Sequence, residues 1–401
     1  MSRDSFIMVV ASLLSAVCAY FYQLFMAMFL TPQEYGILLS LTSLMVIVSM
    51  FGDTITLIVA RLTSKFKAEA RVAVVNYIWH LSLKGTSAIG VLMFALAAVL
   101  SPLLCKSLNI DNHLYPVILF SSFIFGFSLS GNWGVMQGLQ RFLSLGSNRI
   151  LWALLRPTFA VLFVYLGFGI TGGLAAIPLS YAIAFIATFP FLGNLSSAGN
   201  EKVKIEQIGS YMSLTLLALF SITMLSNIDV VLAKHYLTPI DAGNYSAVSI
   251  LGRICFYAPI GVAIAMFPKT SASFESHGKH HQLFIKAVLL TTLIVGTIGL
   301  TYALFSETIV RLLFSDKYSM VTPYIFKYGL GMSFLSLSYL TMTYLLSIGK
   351  RKVAYSLLAA TLSQFGLIIL FHTDISQLVD IMFISGLISL VLVSPCLLKG
   401  R

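Results

Sequence analysis

A chain of 401 residues that is 58% apolar and only 10% charged, with a mean hydropathy of +0.93, lacks the polar side chains that a water-soluble surface of this size needs. The net charge of +11 calls for no nucleic-acid partner, because membrane topology and attraction to anionic lipid account for it. The four cysteines, Cys18, Cys105, Cys255 and Cys396, are scattered, mostly inside apolar runs, and read as small hydrophobes.

From the N-terminus, the first apolar run is too long for a cleaved signal peptide and lacks a small-x-small cleavage site, so it reads as a first membrane helix. Apolar runs long enough to cross a hydrocarbon core of roughly 30 Å then recur along the whole chain. They predict about twelve transmembrane helices, over 6–30, 36–60, 84–104, 115–137, 147–168, 172–192, 209–236, 243–267, 284–305, 323–347, 353–371 and 379–398. The stretch "RVAVVNYIWHLSLKG" before the third span either lengthens that helix or lies on the membrane surface. The expected fold class is an all-α polytopic membrane protein of two parallel six-helix bundles, 1–198 and 199–401.

Lysine and arginine set the orientation. With both termini in the cytoplasm, about seventeen cations, Arg61 to Arg71 and Lys350 to Lys352 among them, fall on the cytoplasmic side. Lys202, Lys204, Lys399 and Arg401 belong to that set, and only Lys106, Lys234, Arg311 and Lys317 fall opposite. The longest connection on that opposite side, around 306–322 ("ETIVRLLFSDKYSMVTP"), reads as a short loop.

One short motif is written twice. "LTPQEYG" at 30–36 returns as "LTPIDAG" at 237–243, each predicted in the turn between the first and second helix of a six-helix half. Proline stops the incoming helix, and the acid and glycine suit a tight turn and a new helix start. Six helices separate the copies, so the halves share one orientation and a pseudo-twofold axis along the membrane normal, as in transporters that rock about a central cavity.

"FLTPQEYGILLSL", "GVMQGLQRF", "SNIDVVLAKHYLTPIDAGNYSAVSILGRI" and "LLSIGKRKVA", in this order and spacing, resemble the polysaccharide-flippase branch of the MATE-like multidrug/oligosaccharidyl-lipid/polysaccharide (MOP) exporter superfamily. The resemblance covers about residues 5–398. It implies two six-helix bundles around an alternating-access cavity. It also implies an undecaprenyl-diphosphate-linked oligosaccharide as substrate, an O-antigen unit or similar, in a bacterial inner membrane. The expected partners are this substrate, inner-membrane lipids and other polysaccharide-assembly proteins.

Ionisable residues inside a span are costly unless paired or hydrated, and so mark function. Arg156 and Arg253 each lie roughly ten residues into a span, near mid-depth, one in each half. Arg149 is seven residues before Arg156 on the same helix face. Two readings stand for these arginines: cations neutralising a diphosphate, or structural ion pairs with Asp53 or Asp229. The two aspartates are equally the candidates for coupling to a proton or sodium ion, against structural pairing. Pro157 and Pro259 are expected to kink their helices. Gln23, Asn132, Gln137, Asn227 and Gln364 are candidate cavity-lining polar groups, each against an interhelical hydrogen bond.

No HExxH, Walker loop, CxxC or histidine set for a metal is present, and "HGKHH" at 277–281 reads as a solvated loop. No cofactor is expected. Two rivals remain: a cation-coupled drug exporter of the same architecture, and a polytopic polysaccharide polymerase. Mid-depth arginines favour an anionic cargo over a cationic drug, and short external loops speak against the polymerase.

Overall fold

The computed structural model describes residues 3–193, 195, 209–276, 278–314 and 316–398. Lys202, Lys204, Lys399, Arg401, His277 and the expected bundle boundary at 198 lie outside the described residues. The helices are α1 (Arg3–Phe29), α2 (Pro32–Ala68), α3 (Val72–Ser107), α4 (Leu114–Phe120), α5 (Ser122–Gly138), α6 (Phe142–Tyr165), α7 (Gly169–Ile186) and α8 (Phe189–Leu192). They continue as α9 (Gly209–Tyr236), α10 (Pro239–Tyr257), α11 (Ile260–Glu275), α12 (His280–Phe314), α13 (Thr322–Ser347), α14 (Val353–Leu370), α15 (Ile375–Val393) and α16 (Pro395–Leu398). There is no strand among the described residues.

Eleven helical stretches among the described residues are long and apolar enough to cross a membrane. The 24-residue α6 is not one of them, although it is long enough. Its two arginines, Arg149 and Arg156, lower its hydropathy, and with it the count reaches the expected twelve. The stretch before the third predicted span is settled as helix: α3 runs unbroken from Val72 to Ser107. The stretch 306–322 is a correction to the loop reading. Glu307 to Phe314 continue α12, and a 3₁₀ turn over Asp316–Val321 leads into α13. His280 and His281 likewise belong to α12 rather than to a loop, and His280 Nδ1 lies 2.9 Å from the Tyr344 hydroxyl.

The chain forms two compact units. The first is Met1–Leu30 with Val48–Glu206, and the second is Thr31–Ile47 with Gln207–Arg401. Among the described residues this differs from the expected division in one respect: residues 31–47, the start of α2, are counted with the second unit. Its helix start is the reason. In the second unit Gly36 and Gly243, the last residues of the two motif copies, meet backbone to backbone. A Cβ on Gly36 would stand 3.0 Å from the Gly243 nitrogen, and one on Gly243 would strike the Pro32 carbonyl. The duplicated motif thus packs on itself.

Both copies are also the same capping device. Thr238 caps α10, its Oγ1 accepting from the Asp241 amide at 3.2 Å and donating to Asp241 Oδ2 at 2.7 Å. Thr31 Oγ1 accepts from the Glu34 amide at 3.3 Å and donates to Glu34 Oε2 at 2.8 Å, and Glu34 Oε2 also accepts from the Thr31 amide. Proline occupies the next position in each, where its missing N–H costs nothing.

A second turn recurs as well. Gln140 (φ 58°) ends α5 and Gly349 (φ 78°) ends α13 in the left-handed region. In each the next residue, Arg141 or Lys350, closes the turn by donating its amide back to Met136 or Leu345. Ala70 with Arg71 repeats the pattern after α2. A cation at a helix C-terminus also complements the carbonyl end of its dipole.

Candidate functional site

The first unit builds its charged cluster on a close helix seam. Ser130, Gly134 and Gly138 fall one turn apart on α5 and face α2, the small-residue spacing that lets membrane helices touch. A Cβ on Gly134 would stand 2.8 Å from the Thr56 carbonyl, and one on Gly138 2.6 Å from the Ala60 carbonyl. Thr56 Oγ1 donates to the Ser130 carbonyl at 2.9 Å. Gly52 packs on the Ser130 hydroxyl, which fixes its neighbour Asp53 beside α5.

Trp133 is one turn past Ser130 on α5. Its Nε1 donates to Asn148 Oδ1 at 2.7 Å, and Asn148 Nδ2 donates to the Ala184 carbonyl at 2.9 Å. The guanidinium of Arg149 lies over the indole at 5.0 Å from its centroid. Seven residues on, the Arg156 guanidinium lies over the Tyr22 ring at 4.0 Å, with the Tyr22 hydroxyl donating to the Gly173 carbonyl at 2.9 Å. Both stacks are cation–π contacts of the kind arginine's planar group favours. Among the described residues neither arginine forms an ion pair, and each keeps a buried Nε without a hydrogen-bond acceptor. Arg149 is the charge that acts on Asp53, and the Tyr181 hydroxyl feels both Arg156 and Asp53. The Asp53 side chain is exposed. The predicted track of Arg149 and Arg156 is therefore brought together with Asp53, on aromatic supports.

The second unit handles its charges differently. Asp229 is fully buried on α9, and Arg253 on α10 is 4% exposed. Arg253 Nη2 pairs with Asp229 Oδ1 at 3.4 Å, and its Nη1 lies 3.4 Å from Ser43 Oγ. Asp229 Oδ2 accepts from the Tyr245 hydroxyl at 3.0 Å and from the Tyr328 hydroxyl at 2.7 Å. The Tyr328 ring lies against Gly252, where a Cβ would overlap it. The expectation that Arg253 binds a diphosphate meets a guanidinium already neutralised and enclosed, the structural-pair alternative. The same pairing occupies both oxygens of Asp229, expected as a candidate ion carrier.

The predicted polar groups divide too. Asn132 is buried and interhelical: Trp79 Nε1 donates to its Oδ1 at 3.0 Å, and its Nδ2 donates to Thr188 Oγ1 at 2.6 Å. Asn227 is buried and donates to the Thr223 carbonyl of its own helix at 3.0 Å. Gln364 donates to the Leu225 carbonyl at 3.1 Å. These three take hydrogen bonds within the bundle. Gln23 and Gln137 are half-buried, and Gln23 Oε1 has no donor. Pro259 separates α10 from α11, as expected, whereas α6 continues through Pro157. The aromatic supports, Tyr22, Trp133, Tyr245 and Tyr328, were not among the predicted site residues. An aromatic inside an apolar run carries no local signal of the cation it will meet.

Twelve membrane-length helical stretches among the described residues, α6 included, in two units define a polytopic all-α membrane fold. The chain is similar to an inward-facing multidrug resistance MATE family transporter of the MOP superfamily, with a TM-score of 0.78 at 12% identity, covering 96% of each chain. It is similar to the lipid II flippase MurJ, with a TM-score of 0.74 at 15% identity, covering 99% of this chain and 88% of that one. A MOP superfamily transporter from Pyrococcus furiosus, described for the reversed polarity of its binding pocket, gives 0.67 at 15% identity over 99% and 94%. At these identities the likeness is one of fold. By sequence, residues 25–323 match the polysaccharide biosynthesis protein family, and the chain belongs to that family. No curated protein matches it by sequence.

Proposed function

We propose that this protein is a flippase for an undecaprenyl-diphosphate-linked oligosaccharide, an O-antigen unit or similar, working by alternating access in a bacterial inner membrane. It is a carrier in this reading, without catalytic chemistry of its own. The observation that carries it is the pair Arg149 and Arg156: two guanidinium groups inside a membrane helix, stacked on aromatics and without a carboxylate ion-pair partner among the described residues. Such charges are expensive in hydrocarbon and suit an anionic ligand. Arginine's fork matches phosphate oxygens, and a low local dielectric strengthens each contact. A cationic drug would meet repulsion from the same pair. The cationic turns at Arg71, Arg141 and Lys350 would face the cytoplasm, with both termini.

The experiment is complementation of surface polysaccharide in a flippase-deleted strain, with membrane abundance measured in parallel. Arg149→Ala with Arg156→Ala should abolish polysaccharide at near-normal abundance. Full polysaccharide from that well-expressed double variant would refute the assignment. Export of cationic dyes by the wild-type protein, lost in Asp53→Asn, would favour the drug exporter instead.

A further inference from the structure

Asp53 plays no part in the proposed function, yet its side chain is exposed on α2, next to the Gly52 contact with Ser130 of α5, the helix whose Trp133 carries the Arg149 guanidinium. Its surroundings argue against a structural ion pair. The same protein shows what such a pair looks like: Asp229 is fully buried, engaged by Arg253 and by two tyrosine hydroxyls. Among the described residues Asp53 forms no ion pair, and Arg149 does not need it for its place. The indole of Trp133 holds the guanidinium, and Asn148 and the Ala184 carbonyl hold the indole. Asp53 is itself fixed by the seam at Gly52, Thr56 and Ser130. A carboxylate and a guanidinium are thus held by independent scaffolds that both meet α5, and no ion pair joins them among the described residues.

We infer that Asp53 is a built-in competing anion: it balances Arg149 while the site is empty and repels the substrate's diphosphate once that is bound, so that the substrate is released. This inference rests on the reading of Arg149 and Arg156 as the diphosphate site. The physical logic is that of a carrier. Two arginines alone would hold a multiply charged headgroup tightly, and a carrier must also let go. A fixed carboxylate beside the bound phosphates weakens the complex without altering how the ligand is oriented. It sets affinity through repulsion, which falls off with distance and is strongest where water is sparse. An uncharged isostere should therefore tighten binding and slow dissociation.

The test uses the purified full-length protein in detergent, with geranylgeranyl diphosphate as probe and geranylgeraniol as the uncharged control. The three tryptophans, Trp79, Trp133 and Trp152, all lie in the first unit, so intrinsic fluorescence reports on it. Asp53→Asn should bind the diphosphate about tenfold or more tighter than wild type, with a correspondingly slower release in stopped-flow displacement. Asp53→Glu keeps the charge and should behave as wild type. Asp53→Ser replaces the asparagine variant should that one fail to fold. Unchanged or weaker binding by Asp53→Asn or Asp53→Ser, while Arg149→Ala and Arg156→Ala abolish wild-type binding, would overturn this inference and leave the diphosphate site standing. An equal gain in Asp53→Glu would also overturn it. No preference for the diphosphate over the alcohol in wild type would remove the diphosphate site and this inference together.

Discussion

The two units repeat their turns and diverge in how they house charge. Each contains a left-handed turn closed by a cation, at Gln140–Arg141 and at Gly349–Lys350, and the first has a further one at Ala70–Arg71. Each places arginine inside a membrane helix. In the second unit the arginine is locked: Arg253 is enclosed with Asp229, and tyrosines fill the remaining acceptor. In the first unit Arg149 and Arg156 lie on aromatic faces, with a carboxylate near but not joined. The turns recur in both units, while one unit turns its charges into packing and the other leaves them available. An arginine at mid-depth is thus not one kind of residue; its neighbours decide whether it is locked into packing or left available.

The sharpest way to break that contrast is to remove one member of the locked pair. Asp229→Ala or Arg253→Ala leaves a buried charge without its partner, a cost of about 3–5 kcal/mol. Both should melt at lower temperature and be depleted from the membrane. The pair replaced together by apolar residues, Asp229→Leu with Arg253→Met, should recover most of the loss. Arg149→Ala and Arg156→Ala should do neither, staying within about 1 kcal/mol of wild type, since they lose only a partly exposed stack. Equal instability of all four single variants would erase the distinction between the units.

Next in size is the meeting of the two motif copies. Gly243→Ala drives a methyl into the Pro32 carbonyl, a backbone atom that cannot step aside, and should cost about 1–3 kcal/mol. Gly36→Ala meets the Gly243 nitrogen at 3.0 Å and should cost less. Thermal melts of the two variants rank them, and the reverse order would contradict the packing.

How much of this could be read beforehand follows from what the signals depend on. Helix number, the duplicated motif and the arginines of α6 are local features of hydropathy, proline and charge, and sequence displays them directly. The division of the chain was harder. Residues 31–47 belong with the second unit because Gly36 meets Gly243, a contact between segments roughly half the chain apart. Pairing was harder still. Asp229 and Arg253 were visible as partners, yet nothing local distinguishes Arg253 from Arg156. The difference lies in Tyr245, Tyr328 and Ser43, which tertiary packing brings around one pair and not the other.

A conservative replacement sharpens the comparison. Arg156→Lys keeps the charge and loses the planar group that lies on Tyr22 and, in the proposed site, would fork onto phosphate. It should bind geranylgeranyl diphosphate about tenfold more weakly, the scale of one charged hydrogen bond, with stability unchanged. Arg253→Lys should show the opposite profile, with lower stability. Its ammonium cannot reach Asp229 Oδ1 and Ser43 Oγ in one plane as the guanidinium does.

The smallest effects belong to the two caps, and there the motif copies should agree. Thr31 and Thr238 make the same reciprocal bonds to the acid three residues on, so each satisfies amides that would otherwise be orphaned at a helix start. Loss of such a cap costs about 1 kcal/mol. Thr31→Ala and Thr238→Ala should therefore lower the melting temperature by similar small amounts. Serine at either position should restore most of the loss, because it keeps the hydroxyl. The neighbouring proline and glycine set the backbone independently of the cap, so transport should survive in both alanine variants. A large loss at only one position would mean that one copy has acquired a task beyond starting its helix. The duplicated turns would then have diverged as the arginines did.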